Sequence, residues 1–120
     1  MPYINSTDFG SITIDNKKYN QVLIIGNDVK EREYSKLVDI HNTSHVVGEW
    51  ELVELLSNKP EVIVIGNGQS GVLTVEDKVK DEIEKAGVVL IIDLTPGAVI
   101  TYNVLVKDGK RVNALIHTTC

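Results

Sequence analysis

A glycine-rich segment carries the most chemically suggestive spacing in the sequence. Residues 66–71, Gly-Asn-Gly-Gln-Ser-Gly, match the pattern G-x-G-x-x-G, and Asp93 follows about twenty residues later, as in dinucleotide-binding domains. That chemistry requires a helix that begins inside the glycine loop, because its first N–H groups bind the pyrophosphate. Here the helix-capping signal lies at Thr74, beyond the last glycine. We therefore predict no dinucleotide binding and no cofactor.

The same loop could instead bind a small anion. Residues 61–65 and 88–92 are apolar runs that we predict to be neighbouring parallel strands, so the loops after them meet at one edge of the sheet. Thr95-Pro96 is a strong helix start, whose N–H groups attract negative charge. The predicted anion site comprises Gly66, Asn67, Gly68, Thr95 and Gly97. The alternative is that Thr95 simply caps its helix.

Two further polar residues lie in the middle of the predicted helix 95–107. Tyr102 and Asn103 are the candidates, and asparagine is a weak helix former. We expect them to form internal hydrogen bonds rather than to contact a substrate. Asp93, at the end of a predicted strand, could act as a base, although stabilising the turn before Thr95 is the commoner role.

The histidines and the single cysteine do not complete a catalytic or metal-binding set. His41 and His45 are four residues apart, but Asn42, Thr43 and Ser44 between them argue against a helix, and we predict no metal site. Cys120 lies close to His117, as a nucleophile and base would. We favour a structural interpretation, in which His117 ends a packed strand.

Hydrophobic periodicity divides the chain into a β-rich beginning and an alternating remainder. Strands are predicted over 3–9, 11–14 and 19–25, residues 29–37 are ambiguous, and 39–47 read as a loop. Trp50, Val53 and Leu56 mark a helix that Pro60 terminates. A second helix begins near Thr74 and ends before Gly87, and the last strand covers 111–116. This order predicts one α/β domain over residues 1–120, a three-layer fold with parallel C-terminal strands, helices on the sheet faces and a β-rich N-terminal layer.

Composition narrows the function classes. The 120 residues have a net charge of −5 and no basic cluster larger than two residues, which disfavours nucleic acid and anionic membranes as partners. No apolar run approaches the length of a membrane span. With one cysteine and no signal-peptide pattern at the start, we expect a cytoplasmic protein.

Several short motifs, taken in order, resemble the Mth-type domain family. They are Phe9-Gly10-Ser11-Ile12, His45, Ile65-Gly66-Asn67-Gly68, Thr95 with Ala98, Tyr102-Asn103-x-Leu105, Arg111-Val112 and His117-Thr118-Thr119-Cys120. The family includes an adipogenesis-associated protein and the mitochondrial complex I assembly factor 3. Asn67 stands where the family commonly has threonine, and the tryptophan expected before His45 is absent.

The resemblance implies a three-layer α/β fold without an established enzymatic activity. We therefore expect a non-catalytic binding or assembly-type module whose partner is another protein. The alternative is a small-molecule enzyme that binds phosphate or a nucleotide with the 66–71 loop and the Thr95 helix start. The sequence leaves the oligomeric state open.

Overall fold

The computed structural model describes residues 1–120, which form eight strands and four helices. The strands are β1 (Ile4–Asp8), β2 (Ser11–Ile14), β3 (Lys17–Tyr19), β4 (Val22–Ile25), β5 (Asp28–Glu31), β6 (Val62–Asn67), β7 (Val89–Asp93) and β8 (Val112–His117). The helices are α1 (Tyr34–His41), α2 (Glu49–Leu55), α3 (Asp77–Lys85) and α4 (Thr95–Lys107).

A five-stranded mixed sheet forms the centre of the protein, in the order β5-β4-β8-β6-β7. β8, β6 and β7 run parallel, and β4 pairs antiparallel with both β8 and β5. β1, β2 and β3 form a separate antiparallel sheet. The α/β class, the parallel C-terminal strands and the β-rich N-terminal layer are thus confirmed.

Two hydrophobic clusters cover the faces of the central sheet. Alternate residues of β6 point to opposite sides, so Val62 and Val64 enter one cluster and Ile63 and Ile65 the other. The first cluster joins the sheet to α4 and the three-stranded sheet, and the second joins it to α2 and α3. β6 has no exposed residue, since it is covered on both faces and paired on both edges.

Three predicted boundaries were wrong. The strand expected over 19–25 is divided between β3 and β4, which belong to different sheets. Helix α1 occupies part of the region expected to be a loop, and Asn42 ends it in a left-handed conformation. α3 begins at Asp77 rather than near Thr74, because Thr74 donates its backbone N–H to the His45 carbonyl and Val75 is buried in the second cluster.

The helices are all short, and none of them combines the length and the apolar character that crossing a membrane demands.

Candidate functional site

The predicted site lies where β6, β8 and α4 meet, and Thr95 is its centre. Thr95 is fully buried, and its hydroxyl accepts the N–H of Gly68 at 3.0 Å and donates to the His117 carbonyl. The Thr95 N–H donates to the Gly68 carbonyl, also at 3.0 Å. The alternative role, in which Thr95 caps its helix, was wrong, since Leu94 is the N-cap residue and Thr95 the first residue of α4. Thr95 instead joins the ends of β6 and β8.

Residues 118–120 lie across the glycine loop, and main-chain oxygens of this segment accept hydrogen bonds from its N–H groups. Gln69 donates to the Thr119 carbonyl at 2.7 Å, while Ser70 and Val72 donate to the main-chain oxygen of Cys120 at 3.1 and 2.9 Å. A Cβ on Gly68 would overlap the Cys120 carbonyl group. The N–H groups of Gln69, Ser70 and Val72 are therefore directed at the protein's own oxygens.

The other residues of the predicted anion site, Gly66, Gly97 and Asn67, have different neighbours from one another. Gly66 permits β6 to approach α4, since a Cβ there would lie 3.0 Å from the Thr95 hydroxyl and 3.3 Å from the Ala98 Cβ. Gly97 lies against the Asp93 carboxylate, which also accepts the Leu94 N–H at 2.7 Å. A carboxylate thus already occupies the positive end of α4. The Oδ1 atom of Asn67 is buried without a hydrogen-bond partner.

Tyr102 and Asn103 hold the start of the chain against α4. The Tyr102 hydroxyl donates to the Pro2 carbonyl at 3.0 Å. The Asn103 amide accepts the Ile4 N–H at 3.0 Å and donates to the Ile4 carbonyl at 2.8 Å. Burial and the negative charge of Asp15 raise the pKa of Tyr102 well above its usual range. Both side chains form internal hydrogen bonds, as expected.

A buried ion pair between Arg32 and Glu51 lies next to His117, and no pattern in the sequence predicted it. Arg32 contacts both carboxylate oxygens of Glu51, at 2.7 and 2.8 Å, and both side chains are fully buried. Its remaining N–H groups donate to the Gln21 side-chain oxygen and to the Ser44 and Val46 carbonyls, and Glu51 also accepts the Gly48 N–H. The pair therefore holds residues 44–48 between α1 and α2. The spacing of Gly48 and Glu51 at a helix start is a sequence signal that could have predicted the position of the Glu51 side chain, although not its pairing with Arg32.

His117 connects this ion pair to the glycine loop. It is fully buried at the end of β8, with Nδ1 2.8 Å from the Gln21 Oε1 and Nε2 3.1 Å from the Thr119 hydroxyl. These contacts fit a neutral ring that donates from Nδ1 and accepts at Nε2. Burial, with the nearby charges of Arg32 and His45, lowers the pKa of His117 to about 4. A ring that is uncharged at neutral pH acts here as a structural hydrogen-bonding group.

His41 and His45 do not come together. His41 stacks on Trp50 with ring centroids 6.0 Å apart, whereas His45 meets His117 edge-on at 5.0 Å. The structure has no group of three or more His, Cys, Asp or Glu side chains arranged to hold a metal ion.

The sequence matches a family described as proteins of unknown function, DUF498/DUF598, over residues 4–117. The chain belongs to the DUF498/DUF598 family. Its fold is similar to that of the conserved hypothetical protein PH1505 from Pyrococcus horikoshii OT3, at 27% identity over 98% of both chains and a TM-score of 0.81. It is equally similar to MT938, at 31% identity over 100% of both chains and a TM-score of 0.81.

A further structure with this fold is that of a Bordetella pertussis protein described as a Mth938-like domain. Its identity is 17%, over 97% of this chain and 85% of that one, with a TM-score of 0.63. The family match and the similarity to MT938 confirm the resemblance to the Mth-type domains. Membership of the DUF498/DUF598 family establishes the fold of this protein but not its activity, which has to be inferred from its surface.

The outer side of α4 presents an uncharged surface with exposed apolar side chains. No charged side chain occurs between Thr95 and Val106, although one side of the helix faces solvent. Ile100 and Val104, one turn apart on that side, are 66% and 53% exposed. By contrast, seven of the nine residues of α3 are charged. An uncharged, exposed helix side is typical of a surface that another molecule covers.

Proposed function

We propose that this domain is a non-catalytic protein-binding module of the assembly type, and that its partner contacts the outer side of α4. The observation that carries the proposal is the exposure of Ile100 and Val104 on a helix without charges before its last residue. Branched apolar side chains at i and i+4 form the ridge that fits a groove on a partner protein.

The polar residues near the glycine loop favour this proposal over catalysis. Thr95, His117 and Gly68 are joined by hydrogen bonds within the fold, and Arg32 is neutralised by Glu51. Groups engaged in this way stabilise the domain and are not oriented toward a substrate. The exposed free thiol of Cys120 fits a reducing compartment such as the cytoplasm.

Affinity capture from the native host, with matched variants, tests the proposal. The double variant Ile100→Glu/Val104→Glu places two charges on the outer side of α4, while Val53→Glu places one on α2, where Val53 is 70% exposed. We expect a protein that binds the wild type and Val53→Glu to be lost from the double variant. The loss should reach at least about tenfold, as for interface hot spots. Circular dichroism would establish that all three proteins are folded.

Equal capture of the same proteins by the wild type and both variants would contradict the proposal. So would a partner that Val53→Glu loses as fully as the double variant does, because its binding site would then lie elsewhere.

A further inference from the structure

The two edges of the central sheet differ in how they are protected. β5 forms one edge and contains Asp28, Lys30 and Glu31 among its four residues. β7 forms the other edge, and its sequence Val-Leu-Ile-Ile-Asp has no charge before its last residue. Charged side chains discourage an edge strand from pairing with another chain, so β5 is protected and β7 is not.

The backbone groups of β7 that face outward can be located from its pairing with β6. Val89 donates its N–H to the Glu61 carbonyl at 3.1 Å, so its backbone groups point toward β6. Along a parallel strand the direction alternates with each residue. Leu90 and Ile92 therefore direct their N–H and carbonyl groups away from the sheet.

A groove runs beside this edge, on the α3 side of the sheet. Its volume is about 420 Å³, with an apolar floor formed by Val88, Leu90 and Ile92. Lys80 and Glu84, both exposed on α3 and one turn apart, form its rim. The groove thus combines apolar side chains, unpaired backbone groups and one charge of each sign.

We propose that β7 pairs antiparallel with β7 of a second copy of this chain, about a two-fold axis at Ile91. Leu90 then lies opposite Ile92 of the second copy, and the outward N–H and carbonyl groups of both residues form hydrogen bonds across the axis. The two central sheets become one continuous ten-stranded sheet. Asp93 lies opposite Val89 rather than opposite its own copy, so no like charges meet along the strand.

Charge complementarity on the rim supports a second copy as the occupant. A two-fold axis perpendicular to the sheet keeps both α3 helices on the same face and orients them antiparallel. Lys80 of one copy then faces Glu84 of the other, and this pair occurs twice. The arrangement uses the face opposite α4, so it is independent of the protein-binding surface proposed above.

Sedimentation velocity of the purified chain, at concentrations up to about 1 mM because small interfaces give weak complexes, tests the proposal. We expect a concentration-dependent dimer. Lys80→Glu and Glu84→Lys should each weaken it at least about fivefold, since each places like charges opposite each other twice. The double variant Lys80→Glu/Glu84→Lys should restore dimerisation, because the opposite charges face each other again. Lys85→Glu, an exposed site on α3 outside the groove, is the matched control and should dimerise like the wild type.

A backbone test is independent of these charges. Ile92→Pro removes an outward-facing N–H, a change that edge strands accept, and replaces the Ile92 side chain on the groove floor with a smaller apolar one. It should abolish the dimer. Hydrogen exchange at the Leu90 and Ile92 amides should slow as the protein concentration rises. A chain that stays monomeric at every concentration would overturn the proposal, as would single charge variants that dimerise as tightly as the wild type. A monomer whose β7 edge pairs with a different protein would overturn it equally.

Discussion

Arg32, Glu51 and His117 show how buried polar groups are satisfied in this small domain. Removing two charges from water is costly, and a close pair offsets that cost only when the remaining hydrogen-bonding groups also find partners. Arg32 meets this condition with a carboxylate and the carbonyls of Ser44 and Val46. The cluster fixes an otherwise irregular segment, residues 44–48, which gives it a structural role.

The depressed pKa of His117 makes stability depend on pH. In the folded protein His117 stays neutral down to about pH 4, whereas in the unfolded chain it takes up a proton below its ordinary pKa of 6.5. The unfolded state therefore binds more protons between these values, and the free energy of unfolding falls as the pH falls from 6.5 to 4. Above pH 6.5 the contribution is fully present.

Replacing His117 with glutamine removes this titration and retains a polar side chain. We expect the wild type to lose about 3 kcal/mol more than His117→Gln between pH 6.5 and 4, at about 1.4 kcal/mol for each unit of pKa difference. Urea unfolding at several pH values measures the difference. If the free energy of unfolding changed equally with pH in the two proteins, His117 would take up a proton as readily in the folded state as in the unfolded chain.

The positions of these three residues differ in how far the sequence predicts them. His117 follows an alternating apolar strand, so its position at a packed strand end was predictable. Arg32 and Glu51 carry no such signal, because they are nineteen positions apart and each resembles an ordinary surface charge. Their pairing depends on how α1 and α2 pack against each other, and hydrophobic periodicity carries no information about that packing.

At the scale of elements, the glycine loop and residues 118–120 behave as one unit. Gly68 has φ +112°, and the Cys120 backbone occupies the space where a side chain would begin. The sequence predicted the loop, the strand before it and its place at the carboxyl ends of the parallel strands. It could not predict that backbone oxygens of residues 119 and 120 would accept hydrogen bonds from the loop N–H groups, because the two segments meet only through the pairing of β6 with β8.

Gly68→Ala should be considerably more destabilising than Gly87→Ala. Both glycines have positive φ, so both substitutions introduce backbone strain of about 1–2 kcal/mol. Nothing lies within 4 Å of a Cβ at Gly87, whereas at Gly68 the new methyl overlaps the Cys120 backbone. Overpacking of this kind adds about 1–3 kcal/mol, which urea unfolding of the two variants would resolve. Equal losses would mean that residues 118–120 move aside freely.

On the scale of the whole molecule, α4 connects the two sheets. One side of it contacts the central sheet, and Tyr102 and Asn103 hold the backbone of residues 2 and 4. The alternation of helices and strands predicted the central sheet, because hydrophobic periodicity is a local signal. The separate N-terminal sheet was harder to predict, since residues 19–25 read as one strand and only tertiary packing divides them.

Asn103→Ala should loosen the three-stranded sheet without unfolding the central one. The variant leaves the N–H and carbonyl of Ile4 without partners, at a cost of about 1–3 kcal/mol. We expect the amides of β1 and β2 to exchange at least about tenfold faster, while those of β6 stay protected. Thr101→Ala, on the same helix, is the control. Uniform acceleration across both sheets would instead show that the domain opens as a single unit.

The position of β8 has a consequence for how the chain acquires its fold during synthesis. β8 lies between β4 and β6 in the middle of the central sheet, yet it is the last strand along the chain. Until residues 112–117 leave the ribosome, β4 and β6 cannot be bridged, and their apolar edges have no partner. At about 5–20 residues per second, a nascent chain spends several seconds in that state. Chaperones that shield apolar strands would therefore act on the nascent chain during that interval, and the central sheet would close only after β8 has left the ribosome.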